Sequence, residues 1–241
     1  MTLSEETRFP KLRSIEARPV LQGGRVSILL RDPLQLSDKT VILPQRLAPL
    51  LRLCDGTRNS SGLRAALAVR FGLRIAPREV ERLLAALDEA LLLENDRSVQ
   101  ARNRAMTEYR QAPFRRPIAA GASYPTDATK LAQLLDAYID AVQEAKPGGA
   151  QGRGLITPHI DYRRGGLVYA RVWSRAAEMV RAAESVVVLG TDHLGDDGRI
   201  TLTRQSYATP FGVLPTARDV VDALVKEMGQ ERAFADELHH R

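Results

Sequence analysis

Apolar and polar positions in the first hundred residues follow two periods in succession, first that of strands and then that of helices. Residues 18–43 are rich in apolar and β-branched residues, and Gly23-Gly24 separates two apolar stretches, which is typical of a tight hairpin. Apolar residues then recur at helical spacing in three segments, 47–54, 63–71 and 77–93. This order predicts a small α+β domain that resembles a winged helix.

The second half of the chain has a different pattern, in which short apolar runs alternate with amphipathic helices. Three apolar runs predict strands, at 154–159, 185–190 and 199–203. A helical pattern over 164–183 separates the first two runs, and Thr126 or Asp127 is suited to cap an earlier helix. Continuous apolar runs are typical of parallel strands covered on both faces, so we predict an α/β sheet flanked by helices.

The stretch APFRRPIA (112–119) contains two prolines and follows an Arg-rich polar helix. Such a composition is typical of a linker. We therefore predict a boundary here, between a winged-helix-like domain over 1–111 and an α/β domain over 112–241.

Composition narrows the class of protein. Of 241 residues, 44% are hydrophobic and 27% are charged, as in folded domains. The single cysteine excludes an internal disulfide framework, and no apolar run is long enough to span a membrane, so a cytoplasmic location is expected. The net charge of +6 comes from dispersed arginines without basic blocks or interleaved aromatic residues, so nucleic-acid binding is disfavoured.

Two of the four histidines occupy equivalent places. His159 ends the first predicted strand of the second domain, and His193 comes shortly after the next strand. If these strands are parallel neighbours, both imidazoles reach one sheet edge, where α/β folds bind ligands, and they form half of a first-row metal site. Asp161 and Asp192 are alternative ligands or carboxylates that orient the imidazoles. The alternative is that these are loop histidines hydrogen-bonded to backbone.

Two further features are weaker candidates for a functional site. Arg163, Gly165 and Gly166 lie at a predicted helix start, where backbone amides attract anions, so we predict an anion or substrate pocket there. Exposed arginines at an ordinary helix end are the alternative interpretation. Cys54 lies in an apolar helix and is expected to be a buried packing residue.

Five motifs follow one another in the second domain: AGASYP (120–125), TPHIDYRRGGLVYA (157–170), VVVLGTDH (186–193), YATPFGVLPT (207–216) and FADELHHR (234–241). Their order and spacing resemble the Memo family, component B of the AmmeMemoRadiSam set. The resemblance implies a fold similar to that of the class III extradiol dioxygenases, a central sheet flanked by helices. It also implies an iron or copper site with a redox role, and a radical-SAM partner protein.

The family's two ligand histidines correspond to His159 and His193. The chain departs from the family pattern at Asp161 and Asp192, which replace uncharged residues. It also stops at FADELHHR, where the family continues with EHSIE and a region that includes its third metal ligand. We therefore expect an incomplete, C-terminally truncated Memo-like domain, with the final histidines at a solvent-exposed terminus.

A second resemblance concerns the first domain. Residues 50–95, with a DGT turn, a helix that ends at FG and an acidic amphipathic helix, resemble the PqqD-type winged helix. Modules of this type bind a leader peptide by adding it as a strand. A small packing domain without a ligand is the alternative. Two functions therefore stay open, a metal-dependent oxidoreductase and a non-catalytic peptide- or protein-binding module that partners a radical-SAM enzyme.

Overall fold

The computed structural model describes residues 9–142, 152–195 and 198–241. Contacts divide the chain into two compact units, Met1–Tyr109 and Arg110–Arg241. The architecture is mixed, with helices and two small sheets among the described residues. In the part of the chain that is described, no helix is both long and apolar enough to cross a membrane.

The N-terminal unit begins with a three-stranded antiparallel sheet. Its strands β1 (Glu16–Gln22), β2 (Arg25–Arg31) and β3 (Val41–Pro44) lie in the order β1-β2-β3. Gly23 and Gly24 form the turn with φ of 56° and 74°, a conformation that glycine adopts without a Cβ clash. The predicted hairpin is therefore confirmed.

Helices complete this unit and supply most of its core. They are α1 (Ala48–Leu53), α2 (Ser60–Phe71), α3 (Pro77–Glu89) and α4 (Asp96–Gln111), of which the last two residues belong to the C-terminal unit. The Asn59 side chain caps α2 by accepting a hydrogen bond from the Gly62 amide, and Gly72 ends the helix in the left-handed conformation. The core joins the sheet to the first three helices through fully buried leucines such as Leu30, Leu43, Leu50, Leu63, Leu67, Leu84 and Leu87.

Cys54 belongs to the same core, as predicted. It is 4% exposed, and burial raises the pKa of its thiol to about 12. A thiol in this state is a packing group, because the reactive form is the thiolate.

Most of the regular elements in the described part of the C-terminal unit are helices. Its elements are α5 (Ala128–Asp140), α6 (Tyr162–Arg181), β4 (Tyr207–Thr209), β5 (Gly212–Leu214), α7 (Arg218–Met228), α8 (Gln230–Ala233) and a final 3₁₀ turn, Glu237–His240. Asp127 caps α5 by accepting a hydrogen bond from the Lys130 amide. Helices α5 and α6 pack together where Gly166 faces the ring of Tyr138.

The three apolar runs that were predicted to be strands do not form strands. Residues 154–159, 185–190 and 199–203 have no regular secondary structure, and the short strands β4 and β5 pair with each other as a hairpin. A strand is held by hydrogen bonds to its neighbour, and among the described residues no strand pairs with any of these runs. Residues 186–189 are consequently 62–84% exposed.

Candidate metal centre

His159 and His193 reach the same place from two separate segments. His159 lies just before α6, and His193 lies in the loop that follows the apolar run 185–190. The centroids of the two rings are 5.1 Å apart and the ring planes are inclined by 39°. Both residues are exposed to solvent. The rings therefore approach each other without the parallel sheet that was expected to bring them together, and their role as metal ligands stays a prediction.

One tyrosine of α6 holds the backbone on both sides of His159. The Tyr169 hydroxyl accepts a hydrogen bond from the Ile160 amide (3.1 Å) and contacts the carbonyl oxygens of Pro158 and Ile160. The Tyr169 ring also packs edge-on against Tyr162, with centroids 5.5 Å apart. Sequence reasoning missed this residue. Its signal was the seven-residue spacing from Tyr162, which places both rings on one face of a helix.

Asp161 lies two residues after His159 and caps α6. One carboxylate oxygen accepts a hydrogen bond from the Arg164 amide (3.0 Å) and the other accepts from the Arg164 guanidinium (2.6 Å). The guanidinium bond is the main reason that the pKa of Asp161 lies below its ordinary value. Both oxygens are thus bound to Arg164, and a role for Asp161 as a metal ligand or as the orienting partner of an imidazole stays a prediction.

Asp192 shapes the loop that carries His193. One carboxylate oxygen accepts a hydrogen bond from the Leu194 amide (2.9 Å), and the other lies 2.7 Å from Nδ1 of His239. Burial alone would raise the pKa of Asp192, but the hydrogen bonds from His239, Leu194 and Gly195 outweigh it and lower the pKa. Asp192 therefore links the His193 loop to the last turn of the chain.

The last residues are held in place, so the expected solvent-exposed terminus is wrong. The side chain of His239 is only 14% exposed, and the ring of His240 contacts the Tyr207 hydroxyl (2.9 Å) and the Thr201 carbonyl oxygen (3.3 Å). Burial lowers the pKa of His240 below its ordinary value. Glu237 is 3% exposed and accepts hydrogen bonds from the Arg110 guanidinium.

The predicted anion pocket coincides with a site of close helix packing. A Cβ on Gly166 would lie 2.5 Å from the Tyr138 ring, and one on Gly165 would lie 2.9 Å from the Ile160 side chain. The Gly165 amide donates to the Asp161 carbonyl oxygen, and Arg163 is exposed. Close packing against neighbouring side chains explains both glycines, and anion binding stays a prediction.

The two imidazoles are two of the several ligands that a metal ion needs. Among the described residues, no group of three or more His, Cys, Asp and Glu side chains is arranged to hold an ion. The two imidazoles fit as two ligands of an ion whose remaining positions would be filled by other groups. A metal site at this pair stays a prediction.

The chain is similar in sequence to proteins of one family. The MEMO1 family protein of Aquifex aeolicus is 28% identical over 217 residues, which are 90% of this chain and 55% of that protein. The MEMO1 family protein MMP1387 of Methanococcus maripaludis is 25% identical over 119 residues, 47% of this chain and 42% of that protein. The MEMO1 family protein of Methanosarcina mazei is 25% identical over 128 residues, 53% and 44% of the two chains.

The chain thus spans about half the length of the curated relatives it matches. The 217 residues shared with the Aquifex protein are more than the C-terminal unit contains, so that similarity extends into the N-terminal unit. No solved structure matches the chain. The sequence profile of the Memo-like proteins matches residues 115–241, more than half of the chain, and the chain therefore belongs to the Memo-like protein family.

Proposed function

We propose that this chain binds non-haem iron or copper through His159 and His193, and that it is a metal-dependent oxidoreductase resembling the class III extradiol dioxygenases. The observation that carries the proposal is the approach of the two imidazole rings to 5.1 Å. Imidazole is a common ligand of both metals. The substrate stays open. Membership of the Memo-like family is consistent with this function.

The chain's own residues would position the two ligands. Tyr169 holds the backbone on either side of His159, and Asp192 shapes the His193 loop through the Leu194 amide. A bound ion would supply Lewis acidity and one-electron chemistry at coordination positions that two imidazoles leave open. We propose that a third ligand comes from the part of the Memo family that this chain does not match.

The test is anaerobic loading of the full chain with Fe(II), Cu(I) and Zn(II) in separate experiments, followed by metal analysis. We expect stoichiometric binding that is lost in His159→Ala and in His193→Ala, with unchanged circular dichroism. Tyr169→Phe should weaken binding by roughly 10–100-fold, as is usual for groups that support a ligand. Val69→Asp, at an exposed position of α2 in the other unit, is the control. Full occupancy in both histidine variants would refute the proposal.

A second candidate function is peptide or protein binding by the N-terminal unit, which we propose is a PqqD-like winged helix. It is supported by β1, an exposed edge strand that pairs only with β2 among the described strands. Gln22 and Arg25 pair directly across the two-residue turn, and hydrogen-bonded pairs alternate with non-hydrogen-bonded pairs along the strand from there. The amides of Ala17 and Leu21, in non-hydrogen-bonded pairs, therefore face the free edge of β1. Pro19 between them has no N–H. An added peptide strand would bond to those two donors.

The partner to try is a purified radical-SAM protein encoded beside a Memo-family gene. Binding to the full chain that is lost in Leu21→Pro and kept in Val69→Asp, a change at a site 85% exposed on α2, would support this function. Equal binding by both variants would contradict it. Such a partnership would place both proteins in the cytoplasm, which is the location we propose.

A further inference from the structure

The N-terminal unit has a basic surface cleft that contains neither the histidine pair nor strand β1. Its volume is about 360 Å³, within the range of sites for small molecules. The residues that line it are Lys39, Glu89, Leu91, Arg97, Gln100 and Arg104. They come from the segment between β2 and β3, from the end of α3 and from α4. Because three cationic side chains face one carboxylate, the cleft is suited to an anion.

Helix α4 places three of these side chains on one face. Arg97, Gln100 and Arg104 follow one another at intervals of three and four residues, the spacing of neighbours on a helix surface. Among the described residues, the exposed Arg104 side chain has no hydrogen bond or ion pair. Its guanidinium group therefore offers N–H donors in the forked geometry that binds a carboxylate or a phosphate.

The other two cations of the cleft are held by ion pairs. The Arg97 guanidinium binds the carboxylate of Asp88, which also accepts a hydrogen bond from the Asn95 amide and is only 15% exposed. Nζ of Lys39 lies 3.2 Å from a carboxylate oxygen of Glu89. These contacts fix both cations beside the cleft before a ligand binds, and such preorganisation lowers the cost of binding.

Leu91 supplies an apolar surface in the cleft at a cost in backbone strain. It follows the end of α3 in the left-handed conformation, with φ of 57°, whereas α2 ends with Gly72 at φ of 64°. Glycine adopts this conformation freely and leucine does not. The side chain of Leu91 is partly buried, lies outside the hydrophobic core of this unit and lines the cleft. Strained backbone of this kind is often found at ligand sites.

We propose that this cleft binds a small organic anion, whose carboxylate or phosphate group pairs with Arg104 and whose apolar part contacts Leu91. Guanidinium binds both kinds of oxyanion, so the experiment includes each. The carboxylates of Asp88 and Glu89 disfavour a polyanion such as nucleic acid, because they would repel its neighbouring charges.

The experiment titrates the full chain with phenyl phosphate, benzoate and the neutral analogue benzyl alcohol, in low-salt buffer and by calorimetry. We expect one of the two aromatic anions to bind in a one-to-one ratio, the tighter one identifying the anionic group, and benzyl alcohol not to bind. Inorganic phosphate and acetate lack the apolar part. Each should bind at least about tenfold more weakly than the aromatic probe with the same anionic group.

Three variants test the assigned contacts. Arg104→Ala should weaken binding by about 10–100-fold, as is usual when hydrogen bonds to a charged group are lost. Arg70→Ala is the matched control, because Arg70 is also exposed and has no ion pair among the described residues, and it should not change the affinity. Leu91→Gly should weaken binding without lowering the midpoint of urea unfolding, because glycine relieves the left-handed backbone.

The proposal is overturned if neither aromatic anion binds, if benzyl alcohol binds equally well, or if Arg104→Ala leaves the affinity unchanged. An equal loss of affinity in Arg70→Ala would also overturn it, in favour of unspecific attraction to a basic surface. A lower unfolding midpoint in Leu91→Gly would show that Leu91 is a packing residue and not a ligand contact. His159→Ala should keep the binding, and its loss there would place the anion at the proposed metal centre instead.

Discussion

Individual side chains near the C-terminus connect segments that are distant in the sequence. Glu237, buried to 3% exposure, binds the Arg110 guanidinium and also accepts a hydrogen bond from the Thr203 hydroxyl. The ring of Phe234 lies beneath the guanidinium of Arg204 at 4.5 Å. A buried carboxylate needs such partners, because an unpaired buried charge is strongly destabilising. These residues therefore order the last turn of the chain.

A pH dependence of stability follows from His240. Burial lowers its folded pKa below the ordinary value of 6.5, so the unfolded chain binds a proton at pH values where the folded chain does not. The free energy of unfolding should therefore be highest above about pH 6.5 and fall as the pH decreases from there towards the folded pKa. Urea unfolding between about pH 7 and 5, followed by the fluorescence of the single tryptophan, Trp173, measures the free energy of unfolding at each pH.

The matched variant is His240→Gln, in which the free energy of unfolding should change less with pH between about pH 7 and 5. Carboxylates with lowered pKa, such as Asp161 and Asp192, lose their stabilising charge only at more acidic pH, so they do not contribute to the same window. An equal slope in the variant and the unmodified chain would show that His240 is not the group responsible.

At the scale of elements, capping side chains decide where helices begin, whereas a strand forms only where another segment pairs with it. Asn59, Asp127 and Asp161 each cap a helix with their own side chain. The contact between α5 and α6 then depends on small residues, because Gly166 brings the backbone of α6 against the Tyr138 ring. Helix start and helix packing are thus set by different residues.

Gly166→Ala tests this contact. Alanine favours a helix over glycine by roughly 1 kcal/mol, but its Cβ would lie 2.5 Å from the Tyr138 ring and force α5 and α6 apart. Overpacking of this kind usually costs about 1–3 kcal/mol, so we expect a net loss of stability. Urea unfolding followed by Trp173 fluorescence is the measurement.

Gly154→Ala is the control, because nothing lies within 4 Å of its Cβ position. It should leave the unfolding midpoint unchanged. A midpoint for Gly166→Ala equal to or above that of the control would mean that the Tyr138 ring moves aside without loss.

At the scale of the whole molecule, the two units differ in how much apolar surface they bury. The N-terminal unit has one continuous core built from its sheet and helices. Among the described residues of the C-terminal unit, buried apolar side chains are few and scattered: Leu131, Val142, Ala170, Ala176, Ala233, Phe234 and Leu238. Since burial of apolar surface is the main source of stability, the N-terminal unit should be the more stable one.

Amide hydrogen exchange should reveal this difference within one sample. We expect amides of α3, whose Leu84 and Leu87 are fully buried, to be protected by about a thousandfold or more. Amides at 185–190 lack backbone hydrogen bonds and should exchange at nearly the rate of an unfolded peptide. Protection at 185–190 in the isolated chain comparable with that of α3 would contradict this description of the C-terminal unit.

The sequence by itself determined the features whose causes are local. The Gly23-Gly24 hairpin, a helix cap at Thr126 or Asp127 and the amphipathic helices depend on residues a few positions apart, and the sequence predicted all three. The family could also be recognised from ordered motifs, since these are patterns of residue types along the chain.

Apart from the approach of His159 and His193, only the tertiary structure decided which distant residues meet. The apolar runs at 154–159 and 185–190 have the sequence pattern of strands. A strand forms only when it pairs with another strand, and the described residues provide no such partner. The contacts of Tyr169 beside His159 and of Asp192 with His239 likewise depend on how the chain folds back on itself. Hydrogen bonds and packing join residues that are distant in the sequence, so a local pattern does not specify the contact partner of a given residue.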